Sequence, residues 1–243
     1  ITGFGQTGPY AHRAGYDFIV QAMSGFMSLT GEPDGPPQKA GIAYADIFTG
    51  MYATVGILAA LRRRNATGAG AHVDMALLDS QVAVLANQAA NYLASGVAPK
   101  RMGNAHVNVV PYQLFATADG QLVIAVGNDS QYRKLCAILG APEWAEDPRF
   151  VTNAARLANR AALIPLLAAR IATWDAQPLS LALEAEGVPA GPINDLAAAF
   201  ADPQVMARGM RIRPDGAFID GVASPIVIDG ERMVAATGAP PLP

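Results

Sequence analysis

Between Met51 and Leu61 the chain carries no charged residue, and it then meets Arg62, Arg63 and Arg64 in succession. Such a run has to leave water. It falls short of the roughly 20 apolar residues that cross a bilayer, so it reads as a buried helix whose last turn is basic, as the negative end of a helix dipole favours. Met51, Val55, Leu58, Ala59 and Arg62 recur at helical spacing, and Gly68 to Gly70 ends the pattern. Burying this helix requires other apolar surface. A chain of 243 residues, 51% of them apolar, supplies it for one large or two small domains.

Around that helix the pattern changes along the chain. Ile1 to Pro9, with Gly3, Gly5 and Gly8, suits a strand exit and a loop whose backbone amides could approach a ligand. Ala14 to Leu29 suggests a short helix followed by the turn Gly31 to Pro37. Val73 to Tyr92 repeats Leu77, Leu78, Val82, Leu85, Ala89 and Tyr92 at helical spacing, which predicts one buried helix. Ser95 to Asn108 is polar and reads as a crossing between domains. Beyond it, Tyr112 to Thr117 and Gln121 to Val126 flank Asp119-Gly120, a hairpin signal. Helices are expected at Ser130 to Leu139, Ala155 to Ile171, Pro178 to Glu186 and Asp195 to Phe200. A turn or extended link is expected at Val188 to Ile193, with strand-like sequence from Met210 to Ile228 and an extended, proline-rich end from Gly238 to Pro243. No internal repeat is present, which removes solenoid architectures.

Charge narrows the function classes. A formal net charge of −3 with 15% charged residues offers no electrostatic footprint for nucleic acid or a membrane surface. Cys136 is the only cysteine; it permits no internal disulfide, fits a reducing, cytoplasmic setting, and lies in an apolar run that suggests core. The absence of an initiator Met and of a leader suggests a piece of a longer polypeptide. His12, His72 and His106 have no metal-ligand spacing, so no metal is expected. No GxSxG elbow, phosphate-binding loop or dinucleotide fingerprint occurs.

One carboxylate stands out. Asp46, in Gly41-Ile-Ala-Tyr-Ala-Asp46-Ile-Phe-Thr-Gly50, lies among apolar and small residues at the predicted helix start. It could cap that helix, a role worth about 1 kcal/mol. It could also be a nucleophile, kept ionised by the helix end and made reactive by an apolar setting that strips water, although on the residues alone capping is the first reading. The two readings are compatible. Tyr16 and Asp17 precede a small-residue helix, where Asp17 reads first as another cap.

Taken together, Gly3-Phe-Gly-Gln-Thr-Gly-Pro9, Arg13-Ala-Gly-Tyr-Asp17, Gly41 to Asp46 with Thr49-Gly50, Gly68-Ala-Gly70 and Val73 to Asp79 resemble the class III CoA-transferases, the formyl-CoA transferase and carnitine CoA-transferase group. Asn104-Ala-His106, Val110-Pro-Tyr112, Asp119-Gly120, Gly127-Asn128 and Gly187 to Ile193 extend the resemblance over nearly the whole chain. It implies an α/β fold: part of an open parallel-sheet, Rossmann-like large domain at 1–95, a linker at 96–110, a smaller α+β domain at 111–205, and a segment at 206–243 that returns to the large domain. It also implies an interlocked homodimer, and further chain at both ends that completes the CoA pocket.

The resemblance assigns Asp46 as the nucleophile that passes through a mixed anhydride and an aspartyl-CoA thioester. Acyl-CoA and a free carboxylic acid are then substrates, with no tightly bound cofactor. Arg13, Tyr16, Asp17, Asn104 and His106 become candidates for holding CoA, and Arg13, Asn104 and His106 suit a phosphate or a distal carboxylate. Racemases of the same fold place a His where Tyr16 stands, and a tyrosine of pKa about 10 is a poor base for racemisation at neutral pH. Racemisation and a non-catalytic CoA-binding remnant are the alternatives. The run of glycines that formyl-CoA transferases carry is missing, which disfavours formyl-CoA and oxalate. Leu78 to Val82, Ala89 to Leu93 and Ala105-His106 with Val110 to Gln113 are similar to the succinyl-CoA:glutarate branch, which points to a dicarboxylate acceptor.

Overall fold

The computed structural model describes residues 1–238, so the end of the proline-rich stretch, 239–243, lies outside the described residues. The first half is helical: α1 (Asp17–Met23), α2 (Phe26–Leu29), α3 (Tyr44–Thr67), α4 (Leu77–Ala83) and α5 (Ala86–Ser95). α3 ends as expected, with Gly68 in the left-handed region at φ 74° donating its N–H to the Arg64 carbonyl. The single helix expected from Val73 to Tyr92 is instead two. Ala86 at φ 46° breaks the run, and Val73 to Ala76 is extended because it pairs with the first residues of the chain. There the Thr2 N–H donates to the Met75 carbonyl, and the Leu77 N–H returns a bond to the Thr2 carbonyl, both at 2.9 Å.

A second backbone approach occupies the chain start. A Cβ built on Gly3 would lie 2.5 Å from the Gly15 Cα. Gly3 therefore lets one backbone pass another, and its service to the fold is this close approach.

After the 96–110 stretch come β1 (Tyr112–Ala116), β2 (Gln121–Ala125), α6 (Asp129–Ile138), a short 3₁₀ turn (Pro142–Ala145), α7 (Asn153–Ala158), α8 (Arg160–Ile171), α9 (Ala176–Ala185) and β3 (Ala190–Pro192). β1 and β2 form the expected hairpin, with Tyr112 opposite Ala125. The extended link at Val188 to Ile193 proves to be a third antiparallel strand on β2, with Val123 opposite Gly191. The helix expected from Ala155 to Ile171 breaks at Asn159, whose amide donates to the Arg149 and Ala155 carbonyls and so competes with the helical ladder. α10 (Leu196–Ala201) is followed by α11 (Pro203–Ala207), an addition started by Asp202 capping Gln204 and Val205. The strand-like sequence beyond resolves into two small antiparallel pairs, β4 (Arg211–Ile212) with β5 (Gly221–Val222), and β6 (Val227–Ile228) with β7 (Glu231–Arg232).

The chain thus mixes helix and sheet, but the sheets among the described residues are small and antiparallel. Among the described residues the expected open parallel sheet is not formed: parallel pairing is limited to two isolated bridges, Thr2 with Ala76 and Asp215 with Thr237, since a parallel ladder needs neighbouring strands that residues 1–95 do not form. A well-packed core joins Phe115, Leu122, Ile124, Tyr132, Leu135, Cys136, Leu163, Leu167, Leu179 and Leu183. Cys136 is fully buried there, as expected, and burial pushes its thiol pKa up. The helical half has only a small buried cluster of Val20, Ala45 and Leu77.

α3 departs most from expectation. Only Ala45, Thr49 and Ala53 are buried on it, while Ile47, Met51, Val55, Leu58 and Leu61 face outward. At 24 residues, with a window mean hydropathy of 1.4, it is also long and apolar enough to cross a membrane by length and composition. The uncharged run from Met51 to Leu61 understates the helix because apolar residues continue before it, through Tyr44, Ala45, Ile47 and Phe48 with Asp46 as the one charge, and the helix runs on past Leu61 through Arg62 to Thr67.

Candidate functional site

The site grows from the start of α3. Its N-cap, Ala43, has no side chain able to receive the helix's unpaired N–H groups, and the task falls to a residue distant in sequence. Asp17 Oδ1 accepts the Ala45 N–H at 2.8 Å across 28 residues. Asp17 begins α1 but is used to cap α3. The capping role considered for Asp46 is therefore filled by Asp17.

Asp46 sits one residue past that bond, in the first turn of α3, and its side chain is exposed. Its carboxylate takes no hydrogen bond or ion pair among the described residues. Among the described residues nothing covers it: Ile42 and Ile47, its apolar neighbours in sequence, also face outward. The inner face beside it is firm: Ala45 is fully buried, and the Thr49 hydroxyl donates to the Ala45 carbonyl at 2.7 Å. The Tyr44 ring lies between Phe26 at 5.2 Å and Phe48 at 4.6 Å, which sets α2 against the same turn.

Gln21, absent from the sequence-based candidates, completes this arrangement. It is fully buried; its Nε2 donates to Asp17 Oδ2 at 2.6 Å and its Oε1 accepts the Ala40 N–H at 2.9 Å. The available signal was a glutamine one helical turn after Asp17 in the otherwise apolar Phe18-Ile-Val-Gln-Ala-Met.

The remaining candidates divide between two places. Tyr16 and Asp17 lie at the α1 start, against the turn that carries Asp46. Arg13 precedes them, with its guanidinium 4.6 Å from the Tyr10 ring centroid and 5.7 Å from that of Phe4. Asn104 and His106 lie together elsewhere, in a cavity of about 310 Å³ lined also by Asn87, Gln88, Lys100 and Tyr112. His106 Nδ1 accepts the Asn108 N–H at 3.1 Å, and its carbonyl accepts from Arg160 at 2.6 Å. The Gln88 Oε1 at this cavity is buried without a hydrogen-bond partner. Arg101 ties the same loop to the turn before α3 by donating to the Glu32 and Gly35 carbonyls. A roomier cavity of about 730 Å³, among α10, α11, β4 and β5, is lined by apolar residues with Arg211 and Asp220. It holds none of the candidates, and the Arg211–Asp220 pair that borders it is already satisfied.

An exposed aspartate at a helix start, capped by a second aspartate, fits more than one chemistry, and comparison with known proteins narrows it. The sequence profile of CoA-transferase family III matches residues 1–242. This chain belongs to that family. Among family III relatives, a succinate–glutarate CoA-transferase from Agrobacterium fabrum is 56% identical over 231 residues, covering 94% of this chain and 58% of its own length. An acetyl-CoA:oxalate CoA-transferase from Acetobacter aceti is 43% identical over 230 residues, covering 94% of this chain and 59% of its own. The crystal structure of a CAIB/BAIF family protein from Brucella suis superposes with a TM-score of 0.82 at 55% identity, over 99% of this chain and 63% of that one. The chain thus spans about three fifths of the length of each of these three proteins.

Proposed function

We propose that the intact protein transfers CoA from an acyl-CoA to a free carboxylic acid, with Asp46 as the nucleophile. The observation that carries this reading is the Asp46 carboxylate itself, held on a capped helix turn yet engaged by no other group among the described residues. A nucleophile has to present free lone pairs, and Asp17 relieves Asp46 of the capping duty that would occupy them.

An Asp46 oxygen attacks the thioester carbonyl carbon, the C–S bond breaks, and CoA leaves as thiolate. The product is a mixed anhydride of Asp46 with the donor acid. The thiolate then attacks the Asp46 carbonyl carbon, the donor carboxylate departs, and an aspartyl-CoA thioester remains. The acceptor carboxylate attacks that thioester and expels the thiolate, which finally attacks the acceptor carbonyl to give the new acyl-CoA and free Asp46. Each step exchanges carboxylate for thiolate at an activated acyl carbon, so the thioester energy is retained and no general base is needed. N–H donors have to stabilise each oxyanion, and the positive end of α3 favours charge developing there.

Succinyl-CoA as donor and a dicarboxylate such as glutarate as acceptor are supported by the name of the Agrobacterium relative. The oxalate specificity named for the Acetobacter relative shows that acceptors differ among relatives. We assign Arg13, Tyr16, Asn104 and His106 to CoA or to the distal carboxylate, and Asp17 to the support of Asp46. The protein is further proposed to be a cytoplasmic homodimer with a division into 1–95, 96–110, 111–205 and 206–243. The parallel bridge at Thr2 and Ala76 supports an open parallel sheet in the intact large domain. The outward apolar face of α3, with Ile47, Met51, Val55, Leu58 and Leu61, is assigned to protein contact.

The test is intact mass after incubation with succinyl-CoA followed by hydroxylamine or borohydride, comparing wild type with Asp46→Ala. An adduct on Asp46 is expected in wild type alone, with transfer falling on the order of 10⁴-fold or more in the variant, as when a nucleophile is lost. Absence of an adduct, with exchange of an α-proton into deuterated water surviving, would replace transfer by racemisation.

A further inference from the structure

The contacts of Asp17 and Gln21 are spent on one short piece of chain. Asp17 holds the Ala45 N–H, and Gln21 holds the Ala40 N–H while donating to Asp17. Ala40 and Ala45 bracket the segment that enters α3, and Asp46 is the next residue. Both oxygens of Asp17 are engaged, and both ends of the buried Gln21 amide are engaged, so the pair has one arrangement that satisfies every group. The Asp46 side chain has no bond of its own among the described residues, so the position of its carboxylate follows that of its backbone.

We infer that Asp17 and Gln21 are positioning residues that clamp the turn carrying Asp46 and so fix where the carboxylate meets the thioester; this rests on the reading of Asp46 as nucleophile. The rest of α3 is held separately by Thr49 and Ala53, so the clamp governs the first turn more than the helix as a whole. A misplacement of about 1 Å at a reacting group lowers the rate on the order of 100-fold.

The hydrogen-bond polarity makes a swap possible. Asp17→Asn keeps an oxygen for the Ala45 N–H but turns an amide toward the Gln21 amide, donor against donor. Gln21→Glu opposes two carboxylates at the 2.6 Å contact. Together the two changes restore every bond with the direction of the central one reversed and the total charge unaltered. Such a cycle isolates the pair from either residue alone.

Succinyl-CoA and glutarate serve as probes with the intact protein. Each single variant is expected to lower kcat on the order of 10- to 100-fold with KM for succinyl-CoA little changed. The double variant is expected to turn over faster than either. Hydrogen exchange at the Ala45 amide should accelerate in the single variants and slow again in the double. Singles that retain wild-type kcat, a loss confined to KM, or a double no better than the singles would overturn the clamp. If Asp46→Ala still transfers CoA, the nucleophile reading fails by itself. The Ala45 exchange then decides the clamp: restoration in the double variant upholds it, and unchanged exchange in the singles ends it.

Discussion

At the scale of single residues, the sharpest contrast is between Asp46, which makes no bond among the described residues, and Arg156, which spends its whole head group inside the protein. Arg156 is fully buried; it donates to the Val110 and Phe150 carbonyls at 2.6 and 2.9 Å and to Asp129 at 2.8 Å, and lies 4.4 Å from the Tyr132 ring centroid. Its net worth against an apolar substitute is small, but removing it alone strands those partners. Arg156→Ala is expected to destabilise by about 3–5 kcal/mol, read as a lower urea midpoint, whereas Asp129→Asn, on the half-exposed partner, should cost far less. Nothing in the local sequence marked Arg156, because its partners lie up to 46 residues away. Asp46 was legible as unusual through its apolar flanks. Its exposure was not, since flanking residues on a helix point in different directions and do not form a pocket around their neighbour.

Elements were legible where local signals agree. The β1–β2 hairpin, α6, α9 and the Gly68 stop follow from alternation, helical spacing and a left-handed cap. Breaks were missed where a long-range bond overrides a local period, as with Asn159 between α7 and α8 and with the pairing that keeps Val73 to Ala76 extended. β3 was missed because three residues around Gly191 and Pro192 carry no strand pattern, and only β2 makes them a strand. The hairpin turn carries a pH dependence. Asp119 accepts the Ala176 N–H and the Thr117 hydroxyl, chiefly the former holding its carboxyl below the usual carboxylate range. A depressed folded pKa adds stability above the unfolded value, about 3.9, that is lost as pH falls through the folded value. Thermal melts between pH 5 and pH 2 should therefore decline more steeply for wild type than for Asp119→Asn, which keeps the acceptor but not the titration. In the core, Leu163→Ala on α8 should cost about 2–5 kcal/mol, whereas Leu166→Ala on the half-exposed side should cost much less; denaturant midpoints distinguish them.

For the whole molecule, the two halves differ in how far each buries itself. The half around α6, α8 and α9 closes on a continuous core, while α3 turns Met51, Val55 and Leu58 outward. That asymmetry was invisible in the sequence, because an apolar stripe states that it will be buried and not by what. Leu58→Asp is expected to shift the intact protein toward smaller species in light scattering with size-exclusion chromatography if α3 meets a second copy; an unchanged mass would remove α3 from the interface. The bond between Thr2 and Met75 has a separate bearing on how the chain is made. Thr2 is synthesised before Met75 and Leu77, and its bonds to them can form only once both have emerged, by which time α3 has already left the ribosome. The connection therefore closes only after all of α3 has been made, so the turn that carries Asp46 is synthesised before the pairing between Thr2 and Met75 is fastened. A nascent chain halted short of Met75 would hold the outward apolar face of α3 without the Thr2–Met75 pairing, a species that invites chaperone capture.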